Sequence, residues 1–524
     1  MGAHYDYIIV GSGFGGSVSA LRLSEKGYSV CVLEKGRRFE PGDFPKTNWD
    51  LKRWMWMPSA GLRGIFQMSF FEHVTILHGV GVGGGSLVYA NTLPTPTLGF
   101  FQSKSWAHLA DWRKELMPHY ATAKRMLGAA EVPFETRADK VLQEIAKETG
   151  REEHFHRAEV GVFFGAAGQK VPDPYFDGEG PARVGCTQCG ACMTGCNVGA
   201  KNTLDRNYLY LAEKRGCTIE AETEVLRVAP QGGGYRLETK ASFGAERRTF
   251  TADKVIFSGG VMGTVPLLLA MKEDGLPKLS SSLGRMVRTN SEALFAVVAP
   301  DAEEDLTRGV AITSILHTDE HSHVEPVRYG RGSGFFRTMI LPHGPGSNLL
   351  SRGTRAAKRF MEEPARWLRA LTVRDISRRS QVLLYMQTLD GTLQLRLGRK
   401  ARTGFRRAMI TELDGAAPKA FIPEATDIAE RFAKKLRGVV SGLFTETLLG
   451  VPSTAHILGG CTMGEDATSG VIDSEHRVFG YDGLYVIDGS AMSANPGVNP
   501  SLTITAMAER AMSKIPAKSA ALSS

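Results

Sequence analysis

One short segment constrains this 524-residue chain more than any other: Gly11-Ser12-Gly13-Phe14-Gly15-Gly16, set between two apolar runs. Tyr7-Ile8-Ile9-Val10 before it reads as a buried strand, and Val18, Leu21 and Leu23 after it continue as a helix. Val30, Val32 and Leu33 then form a second strand that ends in Glu34. Gly11, Gly13 and Gly16 match G-x-G-x-x-G. The first glycine permits a tight turn, the second lets a pyrophosphate approach the backbone, and the third packs helix on strand. The helix N-terminus then faces the phosphate charge. A carboxylate at the end of the second strand is placed to take ribose hydroxyls, which argues against a 2′-phosphate. The expectation is a dinucleotide site built from Gly11, Gly13, Phe14, Gly15, Gly16 and Glu34. The fingerprint by itself does not separate FAD from NAD.

The chain is 42% hydrophobic and 23% charged, the balance of a folded globular protein. Its length exceeds what one core supports, so two or more domains are expected. Gly-rich, motif-dense sequence occupies residues 1–285 and returns at 451–524. The stretch 286–450 lacks glycine fingerprints and carries strand-like runs such as Val382 to Leu397. The reading is an α/β protein: a Rossmann-like nucleotide-binding domain assembled from 1–285 with 451–524, and a substrate domain, mainly 286–450, containing an antiparallel sheet. No internal repeat is evident.

Three further segments carry a family resemblance. His78-Gly79-Val80-Gly81-Val82-Gly83-Gly84-Gly85-Ser86-Leu87-Val88-Tyr89 is the first. Val255 to Leu268, with Ser258-Gly259-Gly260-Val261-Met262-Gly263 at its centre, is the second. Asp488-Gly489-Ser490, followed by Asn495-Pro496-Gly497-Val498-Asn499-Pro500-Ser501, is the third. In this order they resemble the glucose–methanol–choline (GMC) oxidoreductases, and with the fingerprint they span residues 6 to 512. Within that family the Gly-Gly-Gly-Ser-Leu-Val run and His456-Ile457-Leu458-Gly459-Gly460-Cys461 look like cholesterol-oxidase-like members. The resemblance implies a GMC-type FAD domain. It adds Gly79, Gly83, Gly84, Gly85, Ser86, Val225, Gly259, Asp488, Gly489, Asn499 and Pro500 to the cofactor contacts. Leu87, Val88 and Tyr89 stand where some relatives place a flavin-linking His, so FAD is expected to be non-covalent.

The same resemblance implies oxidation of an alcohol, with the hydroxyl proton passing to a base and the carbinol hydride to flavin N5. His456 matches the base. A histidine suits that task because its ordinary pKa lies near ~6.5. Asn499 matches the second member of the pair, where a neutral amide aligns the oxygen without competing for the proton. Cholesterol-oxidase-like members also carry a carboxylate that moves a proton between ring carbons. Glu325, in His323-Val324-Glu325-Pro326-Val327-Arg328, matches that role loosely, and a structural pairing with Arg328 is an equal alternative. The implied substrate is a bulky hydrophobic alcohol, a 3β-hydroxysterol before a long-chain alcohol. Dioxygen and another electron acceptor both remain open.

Cys186-x2-Cys189-x2-Cys192-x3-Cys196 has ferredoxin-like spacing, with Asn197 where Pro is usual. Metal-free thiols and an iron–sulfur cluster stand level as readings, with zinc behind. The net charge of +8 is concentrated between Arg352 and Arg407, where 15 Lys/Arg accompany 4 Asp/Glu. A solvated helical surface explains this tract, and a membrane-facing patch is the sharper alternative. Trp49, Trp54 and Trp56 join such a contact or form a lid packed over the flavin; both readings stand. No nucleic-acid motif accompanies the charge. No run of about 18 apolar residues is present, nor a basic leader with a cleavage site, so a cytoplasmic protein is the expectation, with peripheral membrane contact as the alternative.

Overall fold

Strands His4–Val10 and Val30–Leu33 pair in parallel, with Val10 opposite Leu33, on either side of the helix Phe14–Glu25. This is the βαβ unit read from the glycine turn. The computed structural model describes residues 3–400 and 404–519. His4–Val10 also pairs in parallel with the upper half of the long strand Arg247–Phe257, whose lower half joins the antiparallel hairpin Thr223–Gln231 and Gly234–Ala241. Leu484–Val486 adds a further parallel strand beside Val255–Phe257. The apolar run Tyr7-Ile8-Ile9 is fully buried, as a strand covered on both faces requires.

The helix Ser501–Ser513, from the far end of the chain, lies against Phe14–Glu25. Arg22 donates Nε and Nη2 to the two carboxylate oxygens of Glu509, both at 2.8 Å, and Tyr208 donates to the same carboxylate at 2.7 Å. A forked pair of this kind fixes orientation as well as distance. Where the strands end, Gly11 donates to the Leu33 carbonyl, Ser258 to Val10 and Ile487 to Phe257. Three segments far apart in sequence thus meet at the carboxyl edge of one sheet, the usual place for a ligand in such folds.

The second sheet has seven strands, ordered Ile340–Pro342, Val439–Leu443, Ala293–Val298, Ser380–Gln387, Ser322–Val327, Ser314–His317 and Phe155–Arg157, each antiparallel to its neighbour. Six come from residues 286–450, and Phe155–Arg157 comes from earlier in the chain. The helices Arg137–Glu148 and Pro423–Leu436 cover one face, packing on Ala293, Val297, Leu383 and Tyr385. The alternate residues Leu294, Ala296, Val382 and Leu384 face a cavity shared with the first domain. The run Val382 to Leu397 is two strands rather than one: Ser380–Gln387 stays in this sheet, and Thr392–Gly398 pairs with Ala408–Leu413 in another. No helix among the described residues is long and apolar enough to cross a membrane.

Candidate active site

A continuous cavity of about 650 Å³ runs between the two domains. One end is polar and glycine-lined. Gly11 has φ +100°, and a Cβ there would lie 2.5 Å from the Ser258 carbonyl oxygen. A Cβ on Gly15 would lie 1.7 Å from the Ile487 oxygen, and one on Gly84 2.7 Å from the Cα of Gly13. Backbone from four segments therefore approaches as closely as backbone can, and only glycine allows it. Gly13 differs: its nearest neighbour would be 3.9 Å away, which leaves its surface for a ligand.

Glu34 closes this end. It accepts from Ser12 N at 3.1 Å, Ser12 Oγ at 2.7 Å and Gly36 N at 2.8 Å, and it lines the cavity beside Thr223, Val225 and Leu226. Ser12 Oγ in turn accepts from Gly83 N at 3.1 Å, so the first glycine turn and the second glycine segment are tied through one hydroxyl. Asp488 accepts from Gly260 N, Thr264 Oγ1 and Ser490 N, at 2.8, 2.6 and 2.8 Å. Gly79, Gly85, Gly259, Gly489 and Pro500 all line the cavity. Ser86 and Gly83 lie behind this surface, where Ser86 Oγ donates to Gly83 O at 2.7 Å and accepts from Leu204 N at 3.0 Å. The cradle fits a dinucleotide: close backbone, exposed amides at the start of a 12-residue helix, and a carboxylate at the ribose end.

The other end is apolar, walled by Phe66, Leu294, Tyr329, Phe336, Leu384 and Leu443. His456 and Asn499 both reach it. His456 Nδ1 is hydrogen-bonded to Glu292 Oε1, and the other Glu292 oxygen accepts from Ala455 N at 2.9 Å. Burial by itself pulls the His456 pKa down, but the Glu292 charge and hydrogen bond, with a smaller contribution from Glu325, lift it above the ordinary value. Glu292 follows Asn290 and Ser291, two non-glycine residues at φ +56° and +44°. Strained backbone of this kind persists where its surroundings impose it. Here the Asn290 amide does so, donating to the Val498 carbonyl at 3.0 Å and accepting from Gly497 N at 2.9 Å. The segment that orients His456 is thereby fastened to the loop that carries Asn499.

Asn499 Nδ2 donates to Glu325 Oε2 at 3.2 Å, while its Oδ1 is buried with no hydrogen-bond partner among the described residues. A buried acceptor left free is costly unless something completes it, and Asn499 itself lines the cavity. Glu325 itself does not line the cavity. It lies directly behind Asn499, on the sheet face it shares with Val327 and Leu384. Its other oxygen meets His323 Nε2 at 3.2 Å. The expected alternative pairing with Arg328 does not occur, because that guanidinium donates to Val310 O, Thr136 Oγ1 and Thr313 Oγ1.

Of the two level readings of the cysteine segment, nothing among the described residues supports the cluster. Cys186, Cys189, Cys192 and Cys196 border a void of only about 20 Å³, room for roughly one water. Among the described residues no group of three or more His, Cys, Asp or Glu is arranged to hold a metal ion. Burial pushes the Cys186 thiol up to about 12 and the Cys192 thiol up to about 11. Lys201 Nζ donates to the carbonyls of Leu87, at 3.0 Å, and Cys192, at 2.8 Å, which anchors this segment to the glycine cradle. Trp54 and Trp56 are also not at the surface. Trp54 is fully buried, stacked on Phe66 at 4.6 Å and edge-on to Phe336, two residues of the cavity wall; Trp49 alone is exposed.

Residues 5–278 match the N-terminal model of the GMC oxidoreductases and residues 372–508 the C-terminal one. The chain is 46% identical to a cholesterol oxidase of Mycobacterium tuberculosis, covering 98% of this chain and 91% of that protein. It is 44% identical to a cholesterol oxidase of Acinetobacter baumannii over 98% of this chain and 95% of the relative. A formate oxidase of Aspergillus oryzae shares the fold, with a TM-score of 0.63 at 13% identity and 98% of each chain covered.

Proposed function

The chain belongs to the GMC oxidoreductase family and is an FAD-dependent oxidoreductase acting on CH–OH donors, and from that premise we propose that it oxidises the hydroxyl of a 3β-hydroxysterol. The observation that carries this reading is the meeting of His456 and Asn499 at an apolar cavity continuous with the glycine cradle. FAD, held non-covalently there, supplies the acceptor for the carbinol hydride, and dioxygen is the proposed final electron acceptor. His456, held by Glu292 through Nδ1, presents Nε2 to the substrate hydroxyl and takes its proton. The Asn499 amide, turned from Glu325 toward the substrate, donates its N–H to that oxygen and aligns it. The presence of both groups argues against a flavoprotein that binds lipid without turnover.

Glu325 is the proposed carrier of a second step. When the Asn499 amide swings aside, the carboxylate takes a proton from the carbon between the new ketone and the ring double bond. The electron pair moves into a conjugated dienolate. The same carboxyl then returns the proton at the far end of the former double bond, so the double bond shifts and Glu325 ends as a carboxylate.

Peripheral contact with a lipid surface is part of this proposal, in a cytoplasmic protein, but at a different place from the Trp stretch. The helices Leu349–Glu362 and Pro364–Thr372 lie within the basic tract and expose Leu349, Leu350, Met361 and Leu368. They pack on strands that carry the cavity residues Ile340 and Leu443. The substrate class is tested by mixing the oxidised holoenzyme anaerobically with sterols and with long-chain alcohols while following the flavin absorbance. Fast bleaching by 3β-hydroxysterols is expected. Bleaching by long-chain alcohols alone would replace the substrate class and leave the fold assignment intact.

A further inference from the structure

The carboxylate behind Asn499 is not an isolated buried acid. Glu325 Oε1 meets His323 Nε2 at 3.2 Å, two residues along the same strand and therefore on the same face of the sheet. His323 is directly opposite His317 on the neighbouring strand, with ring centroids 5.4 Å apart. His317 is followed, across the next strand pair, by His156, whose ring stacks on it at 5.5 Å. In the register His156 faces Ile315, so His156 and His317 are diagonal neighbours on that face. Exposure rises outward: Glu325 and His323 are buried, His317 is half-buried, and His156 is at the surface on the edge strand.

From this arrangement we propose that Glu325 exchanges its proton with bulk solvent through His323, His317 and His156, a relay that crosses the sheet from the active site to its open edge. The idea rests on the isomerising role proposed for Glu325 and names the route that proton can take. Neutral imidazole has one nitrogen that donates and one that accepts, so it passes a proton on without holding a charge; the three rings make no direct hydrogen bond with one another, so each hop between them goes through a bridging water or a turn of a ring. Burial, together with the neighbouring His323, His156, His154 and Arg151 groups, lowers the His317 pKa to about 3, which keeps the middle carrier neutral. Burial likewise lowers His156, with His323 opposing its charge and Glu325 and Glu159 favouring it. The balance is simple. The proton taken from the ring carbon sits on Glu325 while the dienolate lasts. It leaves along the imidazoles as a solvent proton enters by the same route, and the carboxyl delivers whichever it then holds to the far carbon.

The experiment supplies the unconjugated ketone directly to the oxidised holoenzyme in D2O, so that no oxidation step is needed. It reads two things: the ultraviolet absorption of the conjugated enone, and the deuterium at the newly protonated carbon by mass spectrometry. The wild-type enzyme is expected to form the enone with solvent deuterium at that carbon. His317→Gln, and independently the surface variant His156→Ala, are expected to form the enone but to lose most of that deuterium and retain the substrate's own hydrogen. Free imidazole added to His156→Ala should restore it. Enone formation with unchanged deuterium in both variants overturns the relay and leaves the Glu325 step standing. Enone formation at the normal rate in Glu325→Gln, or none in the wild type, overturns the Glu325 step and the relay with it.

Discussion

Glu292 holds His456 by its Nδ1, and its second oxygen is engaged by the backbone of Ala455, the residue just before. The carboxylate therefore fixes the ring's tautomer and its direction together, leaving Nε2 for the cavity. It also sets the pH at which the base works. A histidine whose pKa is raised stays protonated to higher pH, and a protonated ring takes no proton. The rate of flavin reduction should thus rise with pH through the raised His456 value. In Glu292→Gln burial acts with less opposition, and the acid limb of the profile should move to lower pH while the plateau falls. An acid limb that stays in place would separate Glu292 from His456.

His456→Ala should leave FAD bound and slow anaerobic flavin reduction by about 10²–10⁴-fold, the usual scale for losing a positioned base. Asn499→Ala should slow the same step less, since it removes alignment and not the proton acceptor. Stopped-flow rates near normal in His456→Ala would remove that residue from the chemistry.

Glu34→Ala is expected to weaken FAD binding. The loss leaves Ser12 N, Ser12 Oγ and Gly36 N without their acceptor, besides the ribose hydroxyls the cradle would present to it. The Ser12 and Gly36 donors lose their acceptor with or without FAD, which lowers stability, whereas the lost acceptor for the ribose hydroxyls costs about 1–3 kcal/mol of binding, so the dissociation constant should rise by roughly 5- to 150-fold. Full flavin occupancy and unchanged affinity on titration would count against the cradle as described.

The cysteine segment should be metal-free. Anaerobically purified protein should contain no stoichiometric iron or acid-labile sulfide, and after unfolding all seven cysteines, each free in the structure, should titrate as thiols. About four irons per chain would reverse this.

Attraction to lipid should map to the two surface helices. Leu350 is 78% exposed and Met361 71%. Replacing Leu350 and Leu368 with Ser should reduce binding to anionic vesicles and slow turnover on vesicle-borne sterol more than on detergent-dispersed sterol. Binding should weaken with salt, as screening of the basic tract requires. Trp49→Ser should have the smaller effect. Equal losses on both substrate forms would confine these helices to a structural part.

What could be read in the sequence was local. The glycine turn, Glu34 and the Asp488–Asn499 segment each declare themselves within a few residues, because close backbone approach and helix starts have short signatures. Glu292 left no such mark: it lies 164 residues before His456 and meets it only after the strained turn at Asn290 and Ser291 is folded. His323 and His317 look like scattered histidines until strand register puts them opposite one another. The Trp stretch left a bilayer contact and a lid both open, because amphipathic rings look alike whether they face a bilayer or, as with Trp54, the inside of a wall. The cysteine spacing left two readings level for a related reason. Spacing states which thiols can converge but not how much room they find, and here they find room for about one water.

The contact between Gly15 and Ile487 bears on how the protein is made. A residue in the first turn of the chain sits against one that emerges from the ribosome about 470 residues later, with the helix Ser501–Ser513 later still. At roughly 5–20 residues per second, that interval is about 25–95 seconds. Throughout it the sheet that the βαβ unit joins lacks its strand Leu484–Val486, and the unit itself lacks the helix that covers Phe14–Glu25. The nucleotide cradle therefore cannot be complete until residues 484–513 are made, and until then the sheet edge that carries Gly11 to Gly16 lacks its cover.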